Sequence, residues 1–529
     1  MKVARQDSRI AIMMVFIMVV ILSARLVFSA YTSGDDGYTT FAALNPKGLW
    51  ASAQEMAQFQ GRFYQLIVYP LAMLPFMTGD LVVINFWRVL TFLFMLYGIA
   101  RLYMVMLGRP AGLLALILFL GIFDTVGGSY NPFHGLPMWF GVGCGALCLA
   151  IAFHIRVVRD GKGISVLSVL FYALALLSYE IAILYLPLFV FITWYCGRNY
   201  DLLSARGWMR LLKPTTGHII TTIAYLIAYV VYRHYYPGTY AGAGELDVSS
   251  PIRTLKPIVE FSIYGIYWSF SQSGRPTAGL QSIVYALAAG VGLFAAWLAC
   301  RNTELQEAEA TAITLKKVLA GFVILAYVFV PNILFGLTER YRVWAGDGVQ
   351  FYLGSIYSAI TIVLVIGMFF SFLARRKSGK WPIAMASVLG VGFVGLTYAN
   401  SMNSQSFFAQ SELMRNRWQV ADWVAREVNK ASSEGILPAN DISLCGEGFT
   451  ASEELPVYFR NPDMMADVDI YWSRYFTWRM KRGASYRTHT GNGPCNATIN
   501  MSYRTRQATL SIGNRTQSIG FDNVGYLAR

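Results

Sequence analysis

The sequence predicts an all-α polytopic membrane protein of about 11 transmembrane helices with a small α+β domain at its carboxy-terminal end. Three observations predict it. Of 529 residues, 55% are hydrophobic and 14% charged, with a mean hydropathy of +0.45; soluble domains carry roughly a quarter charged residues. Apolar runs of about 20 residues alternate with short basic connections, whereas the strands of a membrane barrel would be about ten residues long and alternating. After about Asn400 the texture turns charged, Asn-rich and Gly-rich with no further run of that length. The formal net charge of +14 falls largely in the short connections, where it sets orientation, so no nucleic-acid partner is expected.

Lys2, Arg5 and Arg9 precede an apolar run from Ile10 to Tyr31. A signal peptide also fits, with Phe28-Ser29-Ala30 as its cleavage site, but a run continuing past Arg25 is long enough to span. The basic cluster before this run, with none after it, predicts a cytoplasmic amino terminus. The next segment, 31–62, is then an external loop. It carries Asp35 and Asp36 between Gly34 and Gly37, and adjacent carboxylates at a helix exit are poor anchors, costly near lipid, and so kept for chemistry. From Leu49 the sequence places Leu49, Ala53, Met56 and Phe63 on one face and Gln54, Gln58 and Gln60 on another. That pattern predicts an amphipathic helix lying along the membrane surface, closed by Gln60-Gly61-Arg62.

Apolar runs follow at 63–78, 81–100, 110–122, 136–155, 164–178, 181–196, 217–233, 278–299, 318–333, 351–373 and 382–399. Basic connections fall at Arg101 to Arg109, Arg156 to Lys162, Arg198 to Lys213, Arg301 to Lys317 and Arg375 to Lys380. All five lie on the cytoplasmic side only if one early run does not cross, and 63–78, short and holding Pro70 and Pro75, is the one expected to fail. The domains are then a transmembrane region, 1–399, and a soluble external domain, 400–529. Within the latter, Ser411 to Asn429 reads helical, while Thr509 to Ile512 and the aromatic-rich Asp469 to Trp478 read as strands and helix pieces.

This orientation puts a common polar character on the outer side. Its loops hold Asp124, Tyr130, Asn131 and His134; the Tyr179-Glu180 hairpin; Glu245 and Asp247; and Glu339, Arg340, Arg342 and Asp347. Pro251 to Phe270 mixes aromatics with charges and predicts a second surface helix. Of the six cysteines, Cys445 and Cys495 are the only pair in the external domain, where an oxidising compartment would join them. Cys144 and Cys148 share a helix face without partner ligands and read as packing residues. Three glycosylation-acceptor patterns begin at Asn496, Asn500 and Asn514; in a bacterial protein they carry no weight.

Acids and arginines on one face suit a reaction with an anionic lipid-linked donor. A carboxylate can take the proton of an attacking hydroxyl, and an arginine fork can grip a phosphate bidentately. Arg62, Arg340 and Arg342 are the phosphate-binding candidates; each also fits a snorkelling interfacial cation. Glu180 interrupts one apolar run from 164 to 196 and reads either as a functional acid or as a hairpin residue. His134 reads as a loop hydrogen bonder.

Asp35-Asp36 after the first helix, the surface helix, Gln60-Gly61-Arg62, Asp124 in the second loop and the soluble carboxy-terminal domain together resemble the GT-C superfamily of integral-membrane glycosyltransferases. Within it the chain is most similar to bacterial inner-membrane enzymes that take sugars from polyprenyl phosphate, such as those that glucosylate the O-antigen of lipopolysaccharide. The resemblance implies that Asp36 or Asp35 is the base or helps hold a divalent metal ion, that Asp124 supports it, and that arginines meet the donor phosphate. It also implies a glycan acceptor on the periplasmic face. Metal dependence varies across that superfamily and does not carry over. The rival expectations are a transporter or flippase of a lipid-linked sugar, whose binding groups would lie near the midplane, and a glycan polymerase or ligase, which gives no reason for an Asp pair after the first helix.

Overall fold

The computed structural model describes residues 2–27, 48–78, 81–122, 137–161, 163–197, 204–239, 254–263, 279–302, 315–339, 341–342, 354–375, 380–446, 468–487, 494–502 and 505–520. Among these, eight helices are long and apolar enough to cross a membrane, and three shorter apolar helices, Arg109–Ile122, Val166–Ser178 and Glu180–Cys196, accompany them. The chain is a multi-pass helical membrane protein with a small carboxy-terminal sheet.

We label α1 Lys2–Val27, α2 Leu49–Gln60, α3 Gln65–Met73, α4 Leu81–Leu107, α5 Arg109–Ile122, α6 Gly143–Arg159, α7 Val166–Ser178, α8 Leu186–Cys196, α9 Ala205–Leu212 and α10 Thr216–Tyr235. Then come α11 254–263, α12 Leu280–Asn302, α13 Leu315–Ala326, α14 Ile333–Leu337, α15 Ser355–Arg375 and α16 Lys380–Ser433. Run 63–78 forms only the nine-residue α3 and a 3-10 turn, Phe76–Thr78. At 1.5 Å per residue α3 covers about 14 Å, too short for a hydrocarbon core of about 30 Å. The connection expected at Arg101 to Arg109 is mostly helix, since α4 runs on to Leu107 and the chain turns at Gly108, φ 84°. Run 318–333 is broken: α13 ends at Ala326 and a 3-10 turn, Val330–Asn332, leads into α14. Asn332 stitches the break, donating to Ser262 (2.9 Å) and Ser358 (2.8 Å).

On the lipid side α4 shows Val82, Phe86, Leu90, Leu93 and Tyr97, 40–67% exposed, the spacing of one helix face. Its other face meets α6 where Gly98 lies against Gly145. A Cβ at Gly98 would collide with the Gly145 carbonyl, and small residues let membrane helices approach this closely. Buried polar groups fix the helix ends. Arg25 near the end of α1 donates to Ser401 and Ser404 of α16, Asn400 donates to the Gly121 and Ile122 carbonyls that end α5, and Asn85 donates to Val27 O. Each satisfies a group that would otherwise be costly in an apolar interior.

The carboxy-terminal part does not begin at a break near residue 400: α16 runs unbroken for 54 residues. Its last turns bury Val420, Ala421, Val424 and Val428 and pack against the sheet strand Gln507–Ile512 and the helix Val468–Met480. The Asp469 to Trp478 segment is thus helix throughout. We label that helix α17 and the strands β1 Ile442–Cys445, β2 Ala484–Arg487, β3 Ala497–Ser502, β4 Gln507–Ile512 and β5 Arg515–Gly520. The sheet order is β2-β1-β3-β4-β5, with β1 parallel to β2 and β3 and the last three strands antiparallel. Parallel neighbours need a crossover, and α17 supplies it between β1 and β2. Cys445 and Cys495 are joined, with Cα atoms 5.9 Å apart, beside Asn496, whose side chain accepts from Ser443 N at 2.7 Å. Asp422 of α16 receives Tyr475 Oη (2.7 Å) and Arg479 Nε (2.6 Å) of α17.

Candidate functional site

The site is built where α2 ends. Gly61, φ 66°, terminates that helix, with Gly61 N on Gln58 O (3.2 Å) and Arg62 N on Ala57 O (3.0 Å). This double bond pattern satisfies the last carbonyls and demands a left-handed residue at Gly61. The turn is held from outside as well. A Cβ at Gly61 would lie 3.0 Å from Pro237 O, a Cβ at Gly238 would lie 2.8 Å from Gly61 N, and Thr239 N donates to Phe59 O at 2.9 Å. The two glycines therefore let two backbones touch.

This clasp aims the next three side chains. Phe63 packs against Tyr225 and Tyr232 of α10, at 5.2 and 6.5 Å between ring centroids. Arg62 and Tyr64 both reach Glu180. Arg62 Nη2 lies 2.9 Å from Glu180 Oε1, and Tyr64 Oη donates to Oε2. Glu180 follows Tyr179, which is extended (φ −159°, ψ 134°), and opens the 3-10 turn Glu180–Tyr185 that leads into α8. The carboxylate thus sits in the first turn, where backbone N–H groups favour a negative charge.

The pair is packed but reachable: the Arg62 and Glu180 side chains keep 15% and 17% of their surface. Burial opposes the charge on Arg62, but Glu180, with Tyr64, Tyr341 and Tyr179, holds its pKa well above the ordinary value. Burial also raises the Tyr64 phenol, Arg62 pulls it down, and Glu180 raises it further. The phenol stays protonated and donates. With a cation on one oxygen and a phenol on the other, Glu180 is an acceptor in use, better suited to orienting Arg62 than to taking a proton. Arg62 is not exhausted by this contact, because its Nε is buried with no hydrogen-bond partner among the described residues.

The sequence candidates divide accordingly. Arg62 and Glu180 come together. Arg342, half-buried, directly follows Tyr341, which acts on the charge of Arg62. Asp35, Asp36, Asp124, His134 and Arg340 lie outside the described residues. Their described flanks share one end of the bundle. Val27, before the Asp pair, is tied to Asn85, and Ile122, before Asp124, to Asn400. The π-helical turn Pro137–Val142 that follows this second loop sets Trp139 6.1 Å from Tyr69 and Phe140 5.2 Å from Tyr179, ring centroid to ring centroid. For a divalent metal ion, no group of three His, Cys, Asp or Glu side chains occurs among the described residues, and both Glu180 oxygens already have a partner in Arg62 and Tyr64. Sequence reasoning passed over Tyr64, Tyr225 and the Pro237-Gly238 wedge; a tyrosine two residues beyond a candidate arginine was the one available signal. Cys144 and Cys148 are buried free thiols. No protein-family profile matches the chain, and no curated protein matches it.

Proposed function

We propose that the protein is a membrane glycosyltransferase that moves a sugar from a polyprenyl-phosphate donor to a cell-envelope glycan or other acceptor, on the membrane face that carries the carboxy-terminal domain. That face is periplasmic in this reading, with the amino terminus cytoplasmic in a bacterial inner membrane, in keeping with Lys2, Arg5 and Arg9 ahead of α1. An acceptor hydroxyl attacks the anomeric carbon, the bond from that carbon to the phosphate oxygen breaks, and polyprenyl phosphate leaves with the electron pair. Asp36 takes the hydroxyl proton, with Asp35 and Asp124 as its supports. Arg62, with Arg340 and Arg342, neutralises the phosphate, and Glu180 holds the Arg62 fork in position.

The observation that carries this reading is Arg62 itself. It is a guanidinium held through one nitrogen by Glu180, with a further donor unused among the described residues, at the bundle end where the helices flanking both acidic loops terminate. The test is purified protein with a panel of polyprenyl-phosphate sugars, with and without chelator, following release of the lipid phosphate. Sugar-dependent release that Arg62→Met suppresses is the expected result. Translocation of the intact lipid-linked sugar across proteoliposomes, with no phosphate released, would replace this reading with a flippase.

A further inference from the structure

At the opposite end of the bundle lies a cavity of about 530 Å³ that no part of the proposed reaction uses. It is walled by Leu102 and Met106 of α4, Ile151 and Ile155 of α6, Leu188 of α8 and Ile324 of α13. Along α6 it extends from Leu147 to Arg159, about 18 Å of helix at 1.5 Å per residue. That depth matches one leaflet, half of a core of about 30 Å. The cavity opens sideways, because Tyr195 and Met368 line it while remaining 37% and 42% exposed.

Two features make it a built groove. Gly321 lies on its wall in the middle of α13, and nothing stands within 4 Å of where its Cβ would be. Glycine in a helix interior is disfavoured relative to alanine, and here its missing side chain leaves the groove open. One cation, Arg159, lines the groove, and a second, Lys316, lies beside it. Arg159 is exposed and is pinned by Nη1 on Val105 O at 2.8 Å. Lys316 Nζ sits 5.2 Å over the Trp194 ring, next to the lining residues Tyr195 and Cys196. Apart from Arg159 the lining is uncharged and mostly apolar, its polar side chains being Thr361 and tyrosines, so the formal charge is concentrated at this one end.

We propose that this groove holds one acyl chain of an anionic glycerophospholipid from the adjacent leaflet, with the head-group phosphate resting at Arg159 and Lys316. Juxtamembrane basic residues attract anionic lipid, and the predominantly apolar wall accommodates the chain. The proposal is independent of the sugar-transfer reading, since none of its residues belongs to the Arg62–Glu180 site.

The test is native mass spectrometry of the full chain in a non-ionic detergent, titrated with phosphatidylglycerol or phosphatidylcholine of the same palmitoyl and oleoyl chains. The parent should retain one phosphatidylglycerol, with about tenfold or greater preference over phosphatidylcholine. Gly321→Phe fills the groove and should lower that retention about tenfold, whereas R159Q with K316Q should keep a bound lipid but lose the head-group preference. A diazirine on the acyl chain should cross-link within 102–107 and 147–159 in the parent, a readout that needs no variant to fold. Equal retention by the parent and Gly321→Phe, absence of preference, cross-links confined elsewhere, or displacement of phosphatidylglycerol by an equal concentration of polyprenyl phosphate would each overturn the assignment.

Discussion

Replacing Glu180 by Gln removes the charge that balances Arg62 while preserving side-chain shape and an oxygen for Tyr64. Breaking a buried ion pair from one side costs about 3–5 kcal/mol, and a fully exposed pair about 0–1. With 15% and 17% of the two side chains accessible, the site lies nearer the buried limit, and about 2–3 kcal/mol of destabilisation is expected. Arg62→Met should cost a similar amount by leaving Glu180, among the described residues, with the Tyr64 hydrogen bond alone. The double variant should be milder than the sum of the singles, because it leaves no stranded charge. The assay is a double-mutant cycle by thermal unfolding in detergent, followed by tryptophan emission at several scan rates. A coupling below about 0.5 kcal/mol would refute the claim that the two side chains depend on each other. Donor affinity separates structure from function: Arg62→Met in the Glu180→Gln background should still bind the polyprenyl-phosphate sugar more weakly than Glu180→Gln alone.

Gly61→Ala should destabilise the protein by about 1–3 kcal/mol, since a left-handed alanine costs about 1–2 and its Cβ would press on Pro237 O at 3.0 Å; a chemical-denaturation or thermal series checks this, and parental stability would show that the turn relaxes. Cys445→Ser with Cys495→Ser should lower the stability of the carboxy-terminal domain by about 2–4 kcal/mol, because the bond closes a 50-residue separation; non-reducing mass mapping should find the linked peptide in the parent. Asp36→Asn should lower sugar transfer about 10²- to 10⁴-fold while leaving donor binding in place; transfer at the parental rate would remove Asp36 as the base.

The membrane helices were legible wherever a long apolar run ended at a charge or a turn, and the prolines of 63–78 marked a segment that forms only a nine-residue helix and a 3-10 turn. Where the fold departed from expectation, hydropathy and helicity had parted company. Arg101 sits inside α4 because arginine is a good helix former and tolerates the last turns of a span. The change of texture near Asn400 predicts a change of solvent, yet helical hydrogen bonds are internal to the segment and need no break there, so α16 continues to Ser433. At the site, Arg62 and Glu180 were each visible as charges flanking apolar runs. Their pairing was not, because it joins positions that no local pattern connects; Tyr64 and Glu180 are 116 residues apart. Tyr64 itself read as one more aromatic in an apolar stretch.

The length of α16 couples the apolar helices to the carboxy-terminal sheet mechanically. At 1.5 Å per residue its 54 residues span about 80 Å, and the buried Val420 lies about 24 Å of helix beyond Ser404. Because that stretch is helical throughout, the domain is carried as the head of a lever by the apolar part of the same helix. Its height and its compass bearing are then a single variable: one inserted residue between Ser404 and Val420 lifts the head by about 1.5 Å and turns it by about 100°, while seven lift it about 10 Å and return it nearly to its original bearing.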